Sequence, residues 1–137
     1  MIYVLQAHPD GRLATPVPEV ALNMTHQRPR FVVVDSLVGG SGETFDWEVA
    51  GRLGAERLAG VSRDGWLLAG GLRPENVAEA VRVARPTGVD VSSGVAGEDG
   101  MAKDRGKVVG FLRGARGGLG EGTDRPDEEE QANVRAM

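Results

Sequence analysis

The chain has 137 residues, 40% hydrophobic and 26% charged, with a formal net charge of −4, the composition of an ordinary soluble globular domain with a real core. The absence of cysteine excludes disulfides, cysteine metal sites and a thiol nucleophile or base within the chain, and the acidic balance leaves no basic footprint for nucleic acid. With no run of about 18 apolar residues and no charged, apolar leader, neither a membrane span nor a signal peptide is expected, and the chain reads as cytoplasmic.

Ile2 to Ala7 is a largely apolar run with strand character, followed by the turn residues His8, Pro9, Asp10 and Gly11. Val17, Val20, Ala21 and Met24 keep helical spacing and predict a helix from Pro16 to Met24, with Pro18 tolerable in its first turn. His8 and His26 lie in turn-like surroundings without metal-ligand spacing, and they are assigned no function. Phe31 to Val34 is a continuous aromatic and β-branched run, the pattern of a strand buried on both faces of a parallel sheet, and it ends at Asp35. Gly39, Gly40, Ser41 and Gly42 make a glycine-rich loop, and Asp46 can cap a helix carrying Trp47, Val49, Ala50 and Leu53.

In WLLAGGLRPENV, Trp66 to Val77, an apolar run stops at Gly70 and Gly71. Apolar Val77, Ala80, Val81 and Ala84 then follow at helical spacing. The stretch reads as strand, tight turn and helix, with Pro74 in the first helical turn. Gly70 and Gly71 either only make the turn or also let the backbone approach a ligand, where free N–H groups could hold a phosphate. Gly88 to Val91 is the next strand, ending in Ser92, Ser93 and Gly94, and Asp104 can cap a last helix with Val108, Phe111, Leu112 and Ala115 on one face. From Gly117 onward glycine, acidic residues and Pro126 replace the periodic pattern. A folded unit over 1–116 and a disordered tail over 117–137 are expected.

Four repeats of strand then helix imply an α/β fold with a parallel sheet and right-handed crossovers. Ligands of such sheets sit at the C-terminal edge of the strands, in doubly wound folds and barrels alike. Asp35, Gly70, Gly71, Asp90, Ser92, Ser93 and Gly94 would converge there.

VVVDSLVGGSGETFDW (Val32 to Trp47), LAGGLRPENV (Leu68 to Val77) and GVDVSSGV (Gly88 to Val95), followed by Lys103 and Asp104, resemble the C-terminal half of phosphoribosylanthranilate isomerase, a family of tryptophan biosynthesis. Three motifs in the right order make the resemblance specific. It covers Ile2 to Arg113, and the extended connection after the first strand is similar to the fungal versions, which are often fused to other tryptophan enzymes. The implied fold is the C-terminal half of a (β/α)8 TIM barrel, four β/α units placed as strands five to eight. A whole barrel takes about 200 to 250 residues, so this chain is too short for one.

The resemblance implies an Amadori rearrangement of N-(5-phosphoribosyl)anthranilate without a cofactor, in which a general acid helps open the furanose and a general base takes the C2 proton. In the family an aspartate at the end of strand six is the acid and a cysteine on strand one the base. Asp35 matches the acid by position; the base has no counterpart here. Taken alone, Asp35 is either an acid whose pKa is raised by the apolar run before it or a carboxylate that caps a loop.

The resemblance further implies that backbone amides at Gly70, Gly71, Ser93 and Gly94 hold the substrate phosphate, helped by the hydroxyl of Ser92 or Ser93, and that Asp90 orients ribose hydroxyls. Barrels often build a phosphate site after strands seven and eight. The loop Val38 to Gly42, with Gly40 and Gly42, either closes over the substrate or is an ordinary turn. Ala96, where the family commonly has an acidic residue, and Gly97 to Met101 depart from the family pattern.

The expected partners are a phosphorylated small molecule and either the missing half barrel or a second copy, because a half barrel leaves unpaired edges. The alternative function is a catalytically inactive half barrel that binds phosphate or self-associates. A cysteine on an upstream strand discriminates between the two.

Overall fold

The computed structural model describes residues 2–17, 28–37, 44–118 and 134–136. The helix expected over Pro16 to Met24 lies outside them from residue 18 onward. So do His26, the loop Val38 to Gly42 with Gly40 and Gly42, and tail residues 119–133.

The elements are β1 (Ile2–Ala7), β2 (Phe31–Ser36), α1 (Trp47–Glu56), β3 (Gly65–Leu68), α2 (Val77–Ala84), β4 (Gly88–Val91), α3 (Arg105–Gly118) and β5 (Val134–Ala136), with 3-10 turns at Leu58–Gly60 and Ser93–Val95. The five strands form one parallel sheet in the order β1-β2-β3-β4-β5. Ile2 pairs with Phe31, Phe31 with Gly65, and Leu67 with Gly88. A doubly wound sheet reverses its strand order at a switch point and carries helices on both faces. Here the order never reverses, and α1, α2 and α3 all pack into one core cluster on one face. The fold is α/β, a wall of a (β/α) barrel.

Strand alternation divides the side chains between the two faces. Leu5, Val32, Val34, Leu68 and Val89 point to the helices and are at most 2% exposed. Each such side chain contributes about 1.5–3 kcal/mol by leaving water. Val33, Leu67 and Ala69 form a smaller cluster on the opposite face, with Phe31 against it. β2 is therefore buried on both faces, as its unbroken apolar run predicts.

The helices meet this core through their predicted faces. The Asp46 side chain accepts from the N–H groups of Glu48 and Val49 and starts α1. Val77, Ala80, Val81 and Ala84 of α2 are all buried. Asp104 accepts from the Lys107 N–H at 2.9 Å and starts α3, whose Phe111 and Ala115 face inward.

Three local expectations are corrected. Pro74 lies in the turn before α2, not in its first helical turn, because the helix begins at Val77. The Asn76 Oδ1 accepts the Arg73 N–H at 2.7 Å and holds that turn closed. The last helix runs through Gly118, past the boundary at 116; a Cβ at Gly118 would lie 2.5 Å from the Ala78 carbonyl oxygen, so the glycine lets α3 stay in contact with α2. Finally, Val134–Ala136 adds a strand where the tail composition predicts none, pairing Val89 with Val134 and Val91 with Ala136. The edge of β4 offers unpaired backbone groups, and a short segment can satisfy them without any sequence pattern of its own.

Candidate functional site

Because the strands are parallel, β2, β3 and β4 deliver their C-terminal ends to one side of the sheet. Asp35 stands at the end of β2, Gly70 and Gly71 just after β3, Asp90 within β4, and Ser92, Ser93 and Gly94 just after it. All seven line a single cavity of about 120 Å3. A larger groove of about 700 Å3 opens at the other end of the strands, between α1 and α2, over Gly54, Trp66 and Ala84. Its lining is mainly apolar, whereas Asp35, Asp90 and the loop residues after β3 and β4 belong to the smaller cavity.

Two glycines bring the walls of the small cavity together. Gly70 has φ +89, and a Cβ there would lie 2.6 Å from the Ser36 nitrogen and 3.0 Å from the Asp35 carboxylate. Only glycine allows the backbone after β3 to run this close to Asp35. A Cβ at Gly94 would overlap the Leu72 carbonyl oxygen, so the loops after β3 and β4 also touch. The loop after β3 is fixed by Asn76, whose Nδ2 donates to the Gly71 carbonyl at 2.9 Å.

The electrostatics of Asp35 follow from this enclosure. Burial pushes its pKa above the usual 3.8, the nearby Asp90 carboxylate pushes it further up, and the Ser36 N–H, donating to Oδ1 at 2.7 Å, opposes both. Asp90 itself is only 5% exposed. A carboxyl group whose pKa is raised by burial, beside a second acidic side chain, is suited to donate a proton to an oxygen of a ligand in the cavity. Among the described residues no cluster of His, Asp and Glu could hold a metal ion.

The residues that the sequence reading leaves without a role are the supports of this site. Lys103 Nζ donates to the Ser92 carbonyl at 2.9 Å, and Lys107 Nζ to the Ala96 carbonyl at 2.8 Å. Asn76 ties Gly71 to Arg73. Their signal in the sequence is slight: an Asn five residues after a turn glycine, and two lysines four residues apart in a chain that otherwise uses arginine.

The model of the N-(5'phosphoribosyl)anthranilate (PRA) isomerase family matches residues 14–113. The chain belongs to this family. Asp35 and the loops after β3 and β4 fall inside the match, and β1 lies before it. N-(5'-phosphoribosyl)anthranilate isomerases 1 and 2, chloroplastic, from Arabidopsis thaliana are each 44% identical over 116 residues, 85% of this chain and 39% of theirs. A tryptophan biosynthesis protein from Phytophthora nicotianae is 42% identical over 72% of this chain and 18% of its own. The crystal structure of the PRA isomerase from Thermotoga maritima is 33% identical, with a TM-score of 0.57, and the similarity covers 85% of this chain and 51% of that one. This chain thus spans about two fifths of the length of the Arabidopsis relatives. Four β/α units out of eight would cover about half of a barrel, in keeping with the structural match.

Proposed function

We propose that this chain supplies the acid and the phosphate-binding half of a PRA isomerase that works once a segment carrying strands one to four completes the barrel. The observation that carries the reading is that Asp35, its pKa raised by burial, lines one cavity together with the loop residues Gly70, Gly71, Ser93 and Gly94, within the span that the family matches.

On this reading the amides hold the phosphate of N-(5'-phosphoribosyl)anthranilate, with Ser92 or Ser93 adding a hydroxyl donor, and thereby set the ribose ring against Asp35. Asp35 gives its proton to the ring oxygen as the bond from C1 to that oxygen breaks, and the anthranilate nitrogen lone pair forms the C1–N double bond. A base then removes the C2 proton, and the electron pair shifts through C1 to neutralise the iminium nitrogen. The resulting enol becomes the ketone of the carboxyphenylamino-deoxyribulose phosphate. Asp90 orients the ribose hydroxyls. No metal or cofactor enters these steps. The base comes from the other half, because this chain contains no cysteine. The setting is a soluble, cytoplasmic enzyme; the two Arabidopsis relatives are named chloroplastic. Among the described residues no helix is long and apolar enough to cross a membrane.

The test is complementation. The chain is co-expressed with the N-terminal half barrel of a relative, and isomerisation is followed by anthranilate fluorescence. Turnover is expected, and Asp35→Asn should lower it by about 100-fold or more. Near-normal turnover by the Asn variant would remove Asp35 from the mechanism. Absence of turnover, with phosphate still bound, would favour the second reading, an idle half barrel that binds phosphate or self-associates, for which the missing cysteine speaks.

A further inference from the structure

The cavity at the strand ends is lined by two acidic side chains, Asp35 and Asp90, so an anion entering it needs hydrogen-bond donors. The chain has 14 arginines and only two lysines, Lys103 and Lys107, and both ammonium groups grip the short turn Ser93–Val95 that walls this cavity. Lys103 Nζ donates to the Ser92 carbonyl at 2.9 Å and approaches the Ser92 Oγ at 3.4 Å. Lys107 Nζ holds the Ala96 carbonyl at the far end of the turn, 2.8 Å away.

An ammonium group is donor only. Towards Lys103 the Ser92 oxygen can therefore act solely as acceptor, and its own O–H is left to donate elsewhere. Ser92 lines the cavity. We infer that Lys103 is a positioning residue of the anion site: its ammonium fixes Ser92 so that the hydroxyl serves as a donor to a bound phosphate group. The inference rests on the reading of the cavity as a phosphate site and adds the residue that makes Ser92 a donor. A neutral side chain at 103 weakens this hold on Ser92, whereas arginine keeps a cationic donor there.

The experiment titrates the full chain with inorganic phosphate and follows the amides of Gly71 and Gly94 by NMR, with lysine labelled at Cε. Lysine contributes only two signals, so each can be followed separately. The expected result is that phosphate moves the Lys103 signal more than that of Lys107. Lys103→Gln should weaken phosphate binding about tenfold, the low end of what a hydrogen bond to a charged group is worth, and Lys103→Arg should restore most of it. Ser92→Ala should cost a similar factor, and the double variant Lys103→Gln with Ser92→Ala should be little weaker than either single one, because one acts through the other.

Multiplicative losses in the double variant, or unchanged affinity in Lys103→Gln, would overturn the assignment. Should the Gln variant fail to fold, the wild-type titration decides: a silent Lys103 signal while the Gly71 and Gly94 amides move overturns the lysine role alone. If those amides do not move with phosphate, the phosphate reading of the cavity falls and the lysine role falls with it.

Discussion

A carboxyl group whose proton is favoured by burial gives the folded chain an unusual pH dependence at one residue. Asp35 titrates above 3.8 in the folded chain because of burial and the Asp90 charge, so between its unfolded and folded pKa values the folded chain binds more protons than the unfolded one. Stability then falls as pH rises through that window, and above it the penalty of a charged Asp35 is complete. Asp35→Asn removes the charge and keeps an oxygen for the Ser36 N–H. The variant is expected to unfold at a higher temperature than wild type at pH 7, with the gap closing below about pH 4; a lower midpoint at pH 7 would contradict a desolvated carboxylate. Gly94→Ala is the opposite case. Its Cβ collides with the Leu72 carbonyl, an atom of the backbone, so one loop has to move. A loss of about 1–3 kcal/mol in urea unfolding is expected, together with a weakened phosphate response at Gly71. Asp35 and the glycines are legible in the sequence because each closes an apolar run, where a parallel sheet presents its ligand edge. Lys103 and Asn76 are not, because each acts on a backbone carbonyl of another loop segment, Ser92 and Gly71 respectively, and a lone polar residue announces no such partner.

The same contrast holds for the elements. β1, α1 and β4 stand where apolar continuity and capping residues place them, since burial against one core cluster enforces both periods. The start of α2 differs because the Asn76 side chain takes the Arg73 N–H and keeps Pro74 in a turn. The inner face of α1 holds a second lesson. Gly54 is a poor helix residue, and propensity alone predicts a gain of about 1 kcal/mol on Gly54→Ala. A Cβ there overlaps the Trp66 indole, however, and Trp66 is only 6% exposed. Packing should win, and Gly54→Ala is expected to destabilise the chain by about 1–3 kcal/mol in urea unfolding. At the end of α2, Arg85 adopts φ +50 and ψ +51, a left-handed conformation that glycine takes without a Cβ penalty. Arg85→Gly should raise the stability by up to about 1 kcal/mol in the same assay.

At the scale of the whole molecule, the sheet has two edges that meet different conditions. The edge of β4 is paired with β5, whereas β1 has no strand beyond it among the described residues. β1 also exposes Ile2 by 41% and Val4 by 50%, large apolar side chains on an edge strand. A closed barrel would leave neither edge, because its last strand pairs with its first. An open parallel edge with apolar side chains is a template for another strand, and the chain is expected to self-associate unless the other half of the barrel is supplied. The two edges make this testable in opposite directions. Val4→Lys puts a charge on β1 and should shift sedimentation towards monomer, while ending the chain after Gly118 removes β5, uncovers β4 and should increase association. Co-expression with the N-terminal half barrel of a relative should suppress association in both, since it supplies strands for the two edges at once. A compact monomer at every concentration, with cooperative unfolding and no response to Val4→Lys, would mean that the β1 edge is already satisfied within the chain, and the case for a missing half would then rest on chemistry alone.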